Sequence, residues 1–340
     1  MQLKKIVSRA TAALLLAALL SGCAKLGEPE LINVSYDPTR EFYEAYNALF
    51  NDYWYEIRGK HVEIIQSHGG SGAQALAVSQ GLPADVVTLA LEADVQAIAD
   101  EGLIDEGWID EFPNDSSPYT STIVFLVHKG NPKNICDWDD LVRDDVGVIT
   151  PNPKTSGGAR WNFLAAWAWA EQKYNGSARR VKNYIKALYQ NVLVLDSGAR
   201  GSTTSFVENG QGDVLLTWEN EGYLAMEEYP GEYELITPSV SILCQPSVAV
   251  VDEVTRVNGT RRLATEYLNY LYSDEAQHLA AEYYYRPSNQ KILAQYSDRF
   301  DLNVELVTID DFGGWAEAQE RFFSDGGEFD QIYENLDPED

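Results

Sequence analysis

Cysteine and histidine are scarce in this chain, three and four in 340 residues. Cys23, Cys136 and Cys244 are too few for a disulfide framework. Cys136 and Cys244 could pair in an oxidising compartment or stay free, and sequence spacing does not decide between the two. Neither the cysteines nor His61, His68, His128 and His278 show the short spacings of a zinc site, so no metal or other cofactor is expected. Basic residues are short as well: 25 Lys and Arg stand against 53 Asp and Glu, a formal net charge of −28. A chain this acidic repels nucleic acid and anionic lipid at long range, which excludes a nucleic-acid partner. The acid excess reads as a solubility or salt adaptation. No Gly-x-x-x-x-Gly-Lys-Ser/Thr string occurs, which argues against nucleotide hydrolysis.

With 45% hydrophobic and 23% charged residues, the composition is that of a soluble globular protein, and the length suits two medium domains. The first residues stand apart. Lys4, Lys5 and Arg9 precede an apolar run at 11–20, too short to span a bilayer and typical of a secretory signal. The run ends in Leu20-Ser21-Gly22-Cys23, which resembles a bacterial lipobox; the alternative is an ordinary signal peptide with an incidental cysteine. The lipobox reading predicts a signal peptide at 1–22, acylation of Cys23 and a tether at 23–30. Several acyl chains would anchor the exported protein to a membrane, where one would not. That places it in the periplasm or on the cell surface.

Along the rest of the chain, strand-like runs alternate with helical spacing. Residues 31–36 read as a buried strand, which Asp37-Pro38-Thr39 ends as a helix opens. Phe42, Ala45, Tyr46, Leu49, Tyr53 and Ile57 mark one helix face, and Gly59 stops it. Strands follow at 62–66 and 84–91, with helices at 73–79 and 94–101. After a loop at 113–118 come strands at 120–128, 146–150, 192–195 and 213–218, and helices at 157–174 and 181–189. Residues 239–251 form an extended segment broken by Pro246, 263–284 are helical, and 315–323 make a last helix before an acidic tail from Asp337. This order predicts an α/β fold with mixed, mostly parallel sheets flanked by helices. Two lobes are expected, 31–120 with 247–310 and an inserted 121–246, with 311–340 as C-terminal helix and tail. Crossings near 119–128 and 240–250 would join the lobes, leaving a cleft between them as the natural ligand site.

Three segments share one design: a strand, a Gly/Ser-rich turn without a carboxylate, and a helix start. They are Gln66 to Ala73, Lys154 to Arg160 and Ser197 to Thr203. Glycine lets backbone approach a ligand closely. A helix start exposes unpaired N–H groups and a partial positive charge, and Ser or Thr adds a hydroxyl. Any one such turn is usually a plain helix cap. Three of them, spread over both lobes, point to one convergent anion site. A fully ionised tetrahedral anion such as sulfate needs donors alone. Hydrogen phosphate brings a proton that wants an acceptor, and a buried unpaired acceptor costs about 1–3 kcal/mol. Neutral N–H and O–H dipoles can hold a dianion when enough of them converge.

The strings Val34 to Arg40, Gln66 to Gly72, Tyr119 to Phe125, Pro151 to Asn162, Leu195 to Thr203 and Phe312 to Trp315 resemble the periplasmic sulfate-binding protein family, in order, from about residue 31 to about 333. The resemblance implies the two-lobed type II periplasmic-binding-protein fold, with the ligand in the interlobe cleft. It also implies a monomeric, non-enzymatic protein that delivers sulfate, often thiosulfate too, to the membrane permease of an ATP-binding-cassette importer. By the same resemblance Ser71 gives its hydroxyl and N–H, and Ser156 its hydroxyl. Gly157, Gly158 and Ala199 give backbone N–H groups, and Trp218 its indole N–H. Tyr36 and Asp37 line the cleft, and Arg200 ties its turn to nearby acids rather than touching the anion. Thr155 stands where the family often has Ser, and the lipobox departs from the family's soluble form.

Plainer readings stand beside these. Trp218 could be a core residue at a strand end, and Trp161, Trp167 and Trp169 on one helix read as packing. His68 next to Gly69-Gly70-Ser71-Gly72-Ala73 has the outline of a nucleophile elbow, and an exported hydrolase of sulfate or phosphate esters is the competing class. It lacks a placed acid, a second histidine or a metal. Thiosulfate, molybdate, tungstate and phosphate remain alternative ligands.

Overall fold

The computed structural model describes residues 28–336. The segment 1–22, Cys23 with the start of the tether, and the tail from Asp337 lie outside the described residues.

Strand β1 (Glu30–Tyr36) is buried along most of its length and is followed by a long helix, α1 (Arg40–Arg58). Gly59 closes α1 in the left-handed conformation, φ 67°, which costs glycine little. Strand β2 (Glu63–Gly69) leads into α2 (Ser71–Ser79), and β3 (Val86–Leu89) into α3 (Glu92–Asp100). Next come a short β4 (Tyr119–Thr120) and β5 (Ile123–His128), then β6 (Val148–Pro151), α4 (Gly157–Lys173) and α5 (Ala178–Gln190). Strand β7 (Val192–Asp196) precedes a one-turn helix, α6 (Ala199–Thr203), and β8 (Val214–Trp218) precedes α7 (Glu219–Glu228). The chain continues through β9 (Tyr233–Ile236), β10 (Val240–Ile242) and β11 (Ser247–Val250). Helices α8 (Arg261–Tyr270) and α9 (Asp274–Glu282), strands β12 (Arg286–Pro287) and β13 (Glu305–Val307), and helices α10 (Gly314–Ala318) and α11 (Glu328–Tyr333) complete it.

Two sheets carry the fold. One has the order β11-β3-β1-β2 and the other β7-β6-β8-β5-β9. Parallel pairing joins β1 to β2 and β3, and β6 to β7 and β8; antiparallel pairing joins β11 to β3, and β5 to β8 and β9. The sheets are therefore mixed. Where β2, β6 and β7 end, each strand delivers its chain to a Gly/Ser-rich turn, and these ends face the space between the sheets. This is the usual ligand position in open α/β sheets.

The structure revises several sequence expectations. The crossing expected as one strand over 120–128 is split: β4 pairs with β12, Ser121 bridges Cys244, and only then does β5 begin. The 239–251 segment divides into β10 and β11 around Pro246, as expected, and its two halves pair with different partners, β13 and β3. Strand β9 and helix α11 had no sequence expectation. Helix α2 starts at Ser71, two residues ahead of the apolar spacing, because Gly70 serves as its N-cap. Cys136 is exposed, Cys244 is buried, and both are free.

Helix α4 is the mechanical centre. Residues 157–170 are all buried, as expected of a helix covered on every side. Trp161 meets Trp315 edge-on at 4.6 Å, and Trp167 meets Phe322 at 4.8 Å. Trp161 and Trp167 thus pack against the C-terminal segment, while Trp169 packs against Tyr184 of α5 at 4.8 Å.

Candidate functional site

The three Gly/Ser-rich turns meet. One small cavity of about 10 Å³ is lined by Tyr36, Asp37 and Pro38 after β1, by Gly69, Gly70 and Ser71, by Ala90, by Ser156, Gly157 and Gly158, and by Ala199. Space on this scale holds about one water; a larger guest needs the walls to move apart. A much wider groove of about 630 Å³ runs beside it, between α2, α3 and Trp315, but Glu92, Asp94, Asp100, Glu101 and Glu320 line it, which disfavours an anion there.

The donors in the small cavity follow from helix geometry. The first amides of a helix have no partner within it. Ser71, Gly157 with Gly158, and Ala199 are the first residues of α2, α4 and α6. The Ser156 hydroxyl oxygen accepts from Ala159 N at 3.3 Å. That caps α4 and leaves the amides of Gly157 and Gly158, and the serine's own proton, for a guest. The Trp218 indole N–H is buried with no partner among the described residues. A Cβ on Gly158 would lie 3.3 Å from Trp218 Nε1 and 3.6 Å from Ser156 Oγ, so these donors share one spot. No Lys or Arg lines the cavity.

Ser71 differs from its expected role. Its hydroxyl donates to Asp94 Oδ2 at 2.5 Å and accepts from Ala90 N at 3.0 Å. The proton assigned to a guest is thus committed to a buried carboxylate, and the amide is what remains. The same bond weakens the nucleophile reading, since the serine proton goes to an acid and His68 Nε2 has no partner among the described residues. Burial, with Arg40 and Arg200 nearby, lowers the His68 pKa to about 4, so its ring is neutral near pH 7.

Asp37 lines the cavity. A Cβ on Gly198 would lie 3.2 Å from Asp37 Oδ2, and Arg40 donates to Asp37 Oδ1 at 3.3 Å. Tyr36 is buried with its ring 5.4 Å from that of Trp218. Arg200 faces away from the cavity and donates to both oxygens of Glu41, at 3.0 and 2.9 Å.

Two residues that sequence reasoning gave no role are central. Asp94 on α3 joins Ser71 to Arg160, whose Nη1 lies 3.1 Å away. Burial pushes the Asp94 carboxyl up, while Arg160 and Ser71 pull it back down. Arg160 and Asp94 are nearly covered and join the two halves across the cleft. Trp161 Nε1 also spans it, donating to Ala90 O at 3.0 Å. The contact is tightest at glycine: a Cβ on Gly70 would sit 2.9 Å from Thr155 O, and one on Gly157 would sit 2.9 Å from Ala90 Cβ. No sequence spacing announced the Asp94–Arg160 pair, because the partners are 66 residues apart.

Residues 39–286 match the family model described as bacterial extracellular solute-binding protein. The chain belongs to that family. This solute-binding protein is 56% identical to the sulfate-binding protein of Escherichia coli over 305 residues, 89% of this chain and 92% of that one. It is 46% identical to the thiosulfate-binding protein of Pseudomonas aeruginosa over 95% of this chain and 98% of that one. Among solved structures, the sulfate-binding protein SubI of Mycobacterium tuberculosis superposes with a TM-score of 0.79 at 32% identity, covering 87% of this chain and all of the other. The two-lobed solute-binding fold is thus shared with relatives of known ligand.

Proposed function

We propose that this solute-binding protein captures sulfate between its lobes and delivers it to an ATP-binding-cassette importer. One observation carries the reading. Free amides from three helix starts and the Ser156 hydroxyl converge on one cavity that no cationic side chain lines, and the orphaned Trp218 N–H lies behind Gly158 in its wall. The start of α4 contributes about half a positive charge, and the shorter α2 and α6 chiefly their unpaired amides. Together with two side-chain donors, that suits a compact dianion with no proton of its own. Ser71, Ser156, Gly157, Gly158, Ala199 and Trp218 hold the anion; Tyr36 and Asp37 wall the cleft; Arg200 steadies its turn.

Relatives named for thiosulfate make that anion the second ligand. In the same reading the lobes divide at the two crossings, 31–120 with 247–310 against 121–246. The protein acts as a monomer, and acylated Cys23 anchors it at the membrane beside the permease. Calorimetry with sulfate, thiosulfate, phosphate and molybdate tests the ligand. Tight binding of sulfate or thiosulfate with phosphate excluded is the expected result, and tight phosphate binding overturns the sulfate reading. Mass spectrometry of the exported protein tests the anchor: an unmodified Cys23 would remove it.

A further inference from the structure

We propose that Lys154 is a positioning residue for anion capture, holding the Ser156 turn through the C-terminal segment. The inference rests on the sulfate reading above. Lys154 touches no part of the small cavity; its ammonium points the other way. There it reaches Asp330 Oδ2 at 2.9 Å, Phe323 O at 3.1 Å, Ser324 O at 3.3 Å and Asp325 Oδ1 at 3.3 Å. An ammonium has three protons, so four acceptors saturate it. Phe323 and Ser324 are the last carbonyls of a helical turn, where a cation is favoured. Asp330 also accepts from Gly326 N at 2.9 Å, which fixes that carboxylate in place.

Lys154 lies two residues before Ser156, in a turn whose geometry is otherwise set by Asn152. Asn152 Oδ1 accepts from Lys154 N at 2.9 Å, and Asn152 O accepts from Ser156 N at 2.9 Å. A second tie joins the same turn to the same segment: Arg160 Nε donates to Pro153 O at 2.9 Å while its guanidinium lies 5.7 Å from the Phe323 ring. On its other side the turn is held by Thr155 Oγ1, which donates to Ser197 O at 2.8 Å. The turn is thus suspended between the Ala199 loop and the C-terminal segment. Releasing the Lys154 end lets Ser156, Gly157 and Gly158 drift from their common centre. Loosely supported donors lose affinity even when all are present.

The test measures sulfate affinity, association and dissociation for Lys154→Met, Lys154→Arg, Asp330→Asn and the double variant Lys154→Met/Asp330→Asn, with melting temperature in parallel. The expected result is about tenfold weaker binding for Lys154→Met, carried by faster dissociation. Lys154→Arg should recover most of it, because a long cation still reaches the carboxylates. Asp330→Asn should weaken binding in the same direction, and the double variant should be no worse than Lys154→Met, the mark of one shared contact. Affinity of Lys154→Met within about twofold of wild type, or effects of the two substitutions that simply multiply, overturns the inference. Should Lys154→Met fail to fold, unaltered dissociation in Asp330→Asn overturns it. Wild-type protein that binds none of sulfate, thiosulfate, phosphate and molybdate overturns the sulfate reading and this inference together. Wild-type binding with unaltered variants overturns this inference alone.

Discussion

Ser71 and Ser156 both stand at helix starts after a strand, one in each half of the molecule, Ser71 as the first residue of α2 and Ser156 as the residue that caps α4. Their hydroxyls have opposite fates. Ser156 accepts from Ala159 N and keeps its proton available. Ser71 gives its proton to Asp94 and accepts from Ala90 N. A helix-start serine is therefore a ligand donor only where no carboxylate lies closer than the ligand. On the sulfate reading the difference divides the labour between the lobes: Ser156 serves the guest, and Ser71 serves the junction through Asp94 and Arg160.

The largest effect tests the Ser156 half. Ser156→Asp places a negative charge about 4 Å from a dianion. At an effective dielectric of 20 that repulsion is about 4 kcal/mol for each pair of unit charges, so sulfate binding should vanish in calorimetry. Unchanged affinity would show that the guest lies elsewhere. Next comes Gly157→Val, whose added carbons meet Ala90 and Ser71 across the cleft. Forcing atoms into such a contact costs about 1–3 kcal/mol, so affinity should fall roughly tenfold or more, and the melting temperature should fall with it.

The direct contrast is smaller. Ser156→Ala removes a bond to a charged guest, worth about 1.5–3 kcal/mol, and should weaken binding by at least tenfold. Ser71→Ala should change affinity much less, and instead lower the melting temperature, because Asp94 and Ala90 N lose a buried partner. Equal affinity losses in the two variants would erase the distinction. The smallest effect concerns His68, which flanks the Ser71 turn. Its pKa is lowered to about 4 in the folded protein, from 6.5. The unfolded chain therefore binds the extra proton between those values, and stability falls as pH drops through that window. Urea titrations should show His68→Asn losing less stability than wild type from pH 6.5 to pH 4.

Much of this was legible in the sequence where a short pattern carries its own physics. Gly59 had to stop a helix, the turn at 154–160 had to open one, and the tryptophans of α4 were expected to pack. The Ser71 hydroxyl was misjudged because its partner, Asp94, sits 23 residues away on another helix, and nothing local marks a tertiary acceptor. The strand partners of the crossings escaped for a similar reason. Residues 239–251 are extended throughout, but which strand each half joins depends on chain that arrives from elsewhere, β3 and β13. Strand β9 is half-buried along its whole length, so it lacks the alternation that reveals a strand with one wet face.

The backbone contact at Gly70 carries a last consequence. Where Gly70 nears Thr155 O, no side chain stands between the two halves to act as a compressible cushion. The gap works as a fixed caliper. On the sulfate reading, an anion whose oxygens extend slightly too far would be a doorstop that holds the jaws ajar, so selection by size would need no residue devoted to measuring it.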